Sequence, residues 1–325
     1  MFYVLSGFLV TGILIRECEG NERVGARFRA IGRFFARRLF RLQPSYLLFL
    51  ALYALIVVKQ QGALSWPVLL LPVSNWFRGP YITWHIKTLH VEETYYVVVS
   101  LCAFMLRRRL RTLLWWLLIA APLGRIALFV MGKLGSTVAF WWLDRYLPVE
   151  AFAIGGLLAL NLGRVRALAP VQAMIRKPTA SFVLAMSALL VCAGLRDVKP
   201  FSYLLLFTWP LLFSLLSAVM IVSGLEARSF FASEWMRRVG LASYSLYLFQ
   251  QFVFGPWREV YGTAFSWPLW FASLGGLILL LPLWYGFAER PLTDLGADWF
   301  PRTARKLPST GTAVAETVLA GRASA

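Results

Sequence analysis

Apolar positions along the chain fall into long runs separated by short polar stretches, and the runs rather than any alternation set the expected fold. Nine of them approach membrane-spanning length: 1–15, 42–58, 89–106, 112–131, 148–162, 180–195, 201–222, 240–256 and 267–288. A helix crossing the hydrocarbon needs about 20 residues, and several runs are shorter, so tilted helices or a thin bilayer are expected. The pattern predicts an all-α, polytopic transmembrane protein with about nine spans. The run LSWPVLLLPVSNWF at 64–77 holds two prolines and reads as a re-entrant or interfacial piece. The last 25 residues, 301–325, lose the apolar spacing, turn to Ala, Thr, Ser and Gly, and are expected to form a disordered cytoplasmic tail.

Polar stretches differ in charge. Arginines crowd the 16–41, 107–111, 163–178 and 223–239 stretches, whereas 59–88, 132–147, 196–200 and 257–266 are poorer in positive charge. The excess of cations on alternate connections predicts that the first set faces the cytoplasm. The carboxyl terminus then lies there too. Met1 would start on the far side with no helix to carry it across, so a further helix upstream is the economical expectation.

Composition agrees with the runs. The 325 residues are 59% hydrophobic and 15% charged, where about 25% charged is usual for a soluble domain. The net charge of +18 would suit nucleic acid if it lay on one stripe. It sits instead in blocks between apolar runs, which makes it topological and argues against a nucleic-acid partner. Cys18, Cys102 and Cys192 are far apart and form no CxxC, a poor framework for disulfides or metal.

Three stretches carry candidate chemistry. In RFFARRLFRLQPSY (33–46), Arg38 and Arg41 are three residues apart and share a helical face, while Arg37 points elsewhere. Guanidinium forks suit phosphate, although a solvated charge run has the same look. Pro44 fits the start of the helix that follows. In HIKTLHVEETYY (85–96), Thr88, Glu92 and Tyr96 are spaced four apart and share a face. A carboxylate at the head of an apolar helix gains from the helix dipole, and an ionisable group within a span is a functional candidate. A plain helix-entry charge is the alternative. His85 and His90 do not have HExxH spacing, so no metal is expected. In GLASYSLYLFQQF (240–252), Ser243, Ser245, Gln250 and Gln251 could hold helices together or line a cavity. Glu289, Arg290 and Pro291 are expected to close the last helix at the cytoplasmic interface.

In this order and spacing, these stretches resemble the acyltransferase 3 family of integral membrane acyltransferases. MFYVLSGFLVTG at 1–12 is similar to the family's FFVLSGFLITG. RRLFRLQPSY at 37–46 fits RRxxRIxPxY, and IKTLHVEETYY at 86–96 loosely fits TxSLxxExxFY. GLASYSLYLFQ at 240–250 fits GxxSYSLYLxH, and an ERP stands at 289–291. The resemblance implies a membrane acyltransferase domain over 1–300. It implies transfer of an acyl group, commonly acetyl, from acyl-CoA to a hydroxyl of a carbohydrate or envelope glycan. Acyl-CoA, commonly acetyl-CoA, is a co-substrate rather than a bound cofactor. The setting it implies is a multi-pass cell-membrane location, the bacterial inner membrane, with the lipid bilayer as partner. By the same resemblance Arg38 and Arg41 bind the donor at the cytoplasmic side. Glu92, with Thr88 and Tyr96 on its face, lies toward the opposite, acceptor side.

The sequence departs from the family in several places. Thr88 takes a serine's place, His90 replaces a small polar residue, and Gln250 replaces a histidine. The family's key histidine belongs to a first helix that precedes the stretch at 1–12, and without it the resemblance implies no turnover. A non-catalytic polytopic protein or a transporter is the alternative reading. A transporter would favour broken helices with binding groups at mid-membrane, whereas the charges singled out here are expected near the two faces.

Overall fold

A computed structural model describes residues 1–18, 24–61, 86–105, 109–133, 149–195, 201–227, 233–250, 253 and 266–301. Among them every regular element is a helix: α1 Phe2–Cys18, α2 Val24–Gln61, α3 Ile86–Met105, α4 Leu110–Lys133, α5 Val149–Arg166, α6 Ala169–Arg176, α7 Pro178–Leu195, α8 Phe201–Glu226, α9 Glu234–Phe249, α10 Trp267–Trp284 and α11 Arg290–Trp299. A π-helical turn, Tyr285–Glu289, joins the last two. The run at 64–77, His85 and the tail from 302 lie outside the described residues.

The all-α expectation holds, but the count of about nine spans does not. Among the described residues, two helical stretches are long and apolar enough to cross a membrane, Leu110–Ala127 and Trp267–Trp299. A third is added only if α5 and α6, bent by 86° at their junction, count as one broken span. The physical reasons are visible helix by helix. α1 has 17 residues. The first half of α2 is the arginine-rich stretch expected as a loop, and α3 carries Lys87, Glu92 and Glu93 in its first half. Among the described residues, runs of apolar letters therefore overstated how many uninterrupted, uncharged helices of spanning length are present.

Two smaller expectations also fail. Pro44 does not begin a helix: it lies inside the 38-residue α2. Pro291 does not end one. It sits in the first turn of α11, where its missing N–H removes nothing the helix needs.

α1 is the centre of the packing. Gly7 of α1 faces Phe152 of α5, Thr11 faces Gly156, and Gly12 faces Ala159, so the two helices run side by side in the same direction. A methyl group at Gly155 would overlap the backbone carbonyl of Val4, and one at Gly7 would overlap that of Phe152. Small residues let helix backbones meet at this distance, which gains dispersion where hydrophobic transfer gains little. Gly155→Ala is therefore expected to destabilise the chain by about 2–3 kcal/mol through overpacking. Gly163→Ala, where nothing lies within 4 Å, should be neutral. Thermal unfolding of the two variants in detergent checks the difference.

α3 lies against α1 and α2. Ser6 meets Glu92 and Thr11 meets Tyr95, so α1 and α3 are parallel. Arg27 donates to the Phe104 carbonyl at 2.9 Å, Arg38 reaches Glu92, and Leu50 clusters with Leu89, so α2 and α3 are antiparallel. On the other side of α1, Arg125 of α4 and Glu150 of α5 form a buried ion pair. An ion pair removed from water rarely gains stability over apolar packing, but it fixes the register of the helices that share it. Neither residue stood out in the sequence, although a charge inside an apolar run is the signal that could have found it.

Candidate active site

The three helices α1, α2 and α3 bring together Ser6, Arg38, Glu92 and Tyr96. Glu92 is buried at 7% exposure and accepts a hydrogen bond from the Ser6 hydroxyl. The Arg38 guanidinium approaches the same carboxylate oxygen at 3.8 Å. It lies over the Tyr96 ring, 3.9 Å from the centroid, and 5.4 Å from that of Phe34. A guanidinium packed against an aromatic ring gains cation–π attraction and still carries a fork of N–H donors suited to an anion. Arg41, one turn further along α2, is exposed and within electrostatic reach of Glu92.

This arrangement revises the expectation that Arg38 and Glu92 stand near opposite faces of the membrane. Because α2 and α3 are antiparallel, the residue expected to hold the donor and the residue expected on the acceptor side come to the same level. It also revises the picture of Glu92 as an exposed helix-entry charge. Glu93, its neighbour, is only half-buried, and Thr94 is exposed. Thr88 lies in the first turn of α3, on the face of Glu92 by spacing. Its side chain and that of His90 are not among those described.

Tyr96 is 2% exposed, and its phenolic oxygen has no hydrogen-bond partner among the described residues. Unmade hydrogen bonds at buried hydroxyls are uncommon and call for a reason. One turn on, the buried Ser100 hydroxyl is also without a partner. Tyr95, on the adjacent face, is fully engaged: it bonds Thr11 at 3.0 Å and stacks on Phe152 with centroids 4.2 Å apart. That stack ties α3 to the α1–α5 pair.

Arg37 points away from this cluster, as its place on the helix predicts. It pairs with Glu17 of α1 and donates to the Phe300 carbonyl at 2.7 Å. Further along α2, Ser45 is fully buried and donates to Glu289, which also accepts from Ser245. Glu289 is therefore not an interfacial charge, as expected from its place in ERP, but a buried one at 4% exposure. Ser243 is exposed and bonds its own helix, while Gln250 is half-buried at the end of α9. Gln251 lies outside the described residues. Ser6 and Ser45 were not singled out in the sequence. Each is a small hydroxyl flanked by ordinary helix residues, and only the facing carboxylate gives it meaning.

The stretches that converge here are those on which the resemblance rested. The acyltransferase 3 family model, an acyltransferase domain, matches residues 1–287. No curated protein and no solved structure matches the chain. The family match covers α1–α10 and every residue of the Ser6–Arg38–Glu92–Tyr96 cluster, and it carries with it an acyltransferase-type function that uses an acyl donor in a membrane setting. The chain belongs to the acyltransferase 3 family.

Proposed function

We propose that the chain transfers an acyl group, commonly acetyl, from acyl-CoA to a hydroxyl of a carbohydrate or envelope glycan at a cell membrane. The observation that carries the reading is the meeting of Arg38, Glu92 and Tyr96 at one point. An acyl-CoA brings phosphates, for which the Arg38 fork, with Arg41 nearby, is the matching group. An acceptor brings a hydroxyl, for which the Glu92 carboxylate is the matching hydrogen-bond acceptor. The thioester carbonyl gathers negative charge as the hydroxyl oxygen adds to it, and the Tyr96 phenol, which has no hydrogen-bond partner among the described residues, is a donor able to meet that charge.

In the balanced reaction the acceptor oxygen forms a bond to the acyl carbon, the carbon–sulfur bond breaks, and the hydroxyl proton ends on the CoA thiol. Glu92 orients the hydroxyl toward the carbonyl, Ser6 holds Glu92 in place, and Thr88 stands one turn away on the same face. The serine lock matters because positioning alone is worth orders of magnitude in rate.

Membranes containing the chain joined to the histidine-bearing first helix that the family resemblance implies, given labelled acetyl-CoA and a panel of carbohydrates and envelope glycans, test the reading. Label should appear on a hydroxyl as an alkali-labile ester. Acetyl-CoA that neither binds nor donates label to any carbohydrate or glycan would overturn it.

A further inference from the structure

The second buried carboxylate, Glu289, has no part in the chemistry above, yet three side chains form a hydrogen-bonded node with it. Ser45 of α2 and Ser245 of α9 both donate to its Oε1. The Ser245 hydroxyl also lies 2.9 Å from that of Ser45, and Trp284 Nε1 donates to the Ser45 oxygen at 2.8 Å. Ser45 and Ser245 have no exposed surface. Around them the packing is apolar, with Phe49, Leu50, Leu248 and Phe249 in one cluster. Glu289 reaches the node from a π-helical turn, a geometry that is rare and concentrated at functional positions.

Such a node is a poor way to gain stability, since apolar side chains of the same volume would serve as well. What it supplies is register. Leucine and phenylalanine pack at many rotations of a helix, whereas a serine hydroxyl meets a fixed carboxylate at one. Ser45 follows Arg38 by seven residues and Arg41 by four, so all three share one face of α2. A slip of one residue along α2 would turn that face by about 100° and take the Arg38 fork off Tyr96. The two centres are close: Tyr244 of α9 stands within electrostatic reach of Glu92, Glu93 and Glu289.

We infer that the Ser45–Ser245–Glu289 node is a positioning device for the donor site, pinning the rotation of α2 so that Arg38 and Arg41 face the acyl-CoA phosphates. The inference rests on the proposed function. It assigns Glu289 as a hydrogen-bond acceptor rather than as a charge. Glu289→Gln keeps an oxygen for both serines, whereas Glu289→Ala removes the acceptor and Ser45→Ala removes one of its two donors.

The test is equilibrium binding of acetyl-CoA to the purified full chain, with the acceptor KM measured beside it. Ser45→Ala and Glu289→Ala should weaken acetyl-CoA binding about tenfold, an energy near that of one hydrogen bond. Glu289→Gln should stay within about threefold of the parent, and the acceptor KM should not move. In an Arg38→Ala, Arg41→Ala background, Ser45→Ala should add nothing, because the face it pins has lost both of its guanidinium forks. A generally loosened fold would move both constants and would add in that background, and that result overturns the inference. So does unchanged acetyl-CoA binding in Ser45→Ala. A parent chain that fails to bind acetyl-CoA would instead defeat the proposed function. Should Glu289→Ala not fold, Ser245→Ala carries the same prediction.

Discussion

Glu92→Gln should lower acyl transfer by about a hundredfold or more, the usual scale for losing a group that orients or takes the reacting proton. Glu93→Gln should cost less than about threefold, since nothing in the proposed mechanism passes through it. The contrast follows from where two adjacent carboxylates fall on α3. Glu92 is buried, takes the Ser6 hydroxyl and lies beside Arg38, while Glu93 is turned about 100° away and half-buried. An amide at 92 keeps the shape and one oxygen for Ser6, so a large loss reports on the carboxylate itself. Transfer rates at matched membrane expression measure the pair, and equal, small losses would return Glu92 to the status of a helix-entry charge.

Arg38→Ala should weaken acyl-CoA binding by about a hundredfold, because a charge-assisted contact in a half-buried site is worth about 2–5 kcal/mol. Arg38→Lys should recover little of this. Lysine restores the charge but neither the planar fork nor the guanidinium's contact with the Tyr96 ring, whose centroid lies 3.9 Å from it. Arg37→Ala has no such effect on donor affinity in this account, because its partners are Glu17 and the Phe300 carbonyl. Titration of the three variants with acetyl-CoA separates a specific fork from a general loss of positive charge. Arg38→Lys with parent-like affinity would favour the general loss.

The site was more legible in the sequence than the architecture. Spacing alone put Arg38 with Arg41, turned Arg37 away, and put Tyr96 on the face of Glu92, since a helix fixes which residues share a side. Which helices then meet is a property of packing. Nothing local in VLSGF says that Ser6 will find Glu92, and nothing in QPSY says that Ser45 will find Glu289 more than two hundred residues later. The direction of α3 against α2 is likewise set by tertiary contact, which is why Arg38 and Glu92 were expected apart. The spans were over-read for a different reason. Hydropathy rewards apolar letters whether or not they form one uninterrupted, uncharged helix, and it did not show that the arginine-rich stretch before 42 is one helix with the run that follows it. At 267–288 and 112–131, where the letters and the helix coincide, the expectation held.

The account stands on Arg38 and Glu92 belonging to one site, and the affinity of the Glu92→Gln variant for acetyl-CoA tests this most directly. A carboxylate 3.8 Å from the arginine that receives the donor competes with an anionic ligand for the same guanidinium. At the effective dielectric of such sites, a unit charge at this range is worth up to about 4 kcal/mol. Part of that is already offset by the nearby cations, so removing the charge should tighten acetyl-CoA binding about tenfold. The variant would thus hold its donor better while transferring it far more slowly. Unchanged or weaker donor binding in Glu92→Gln would mean that the two residues do not share a site, and would contradict the account.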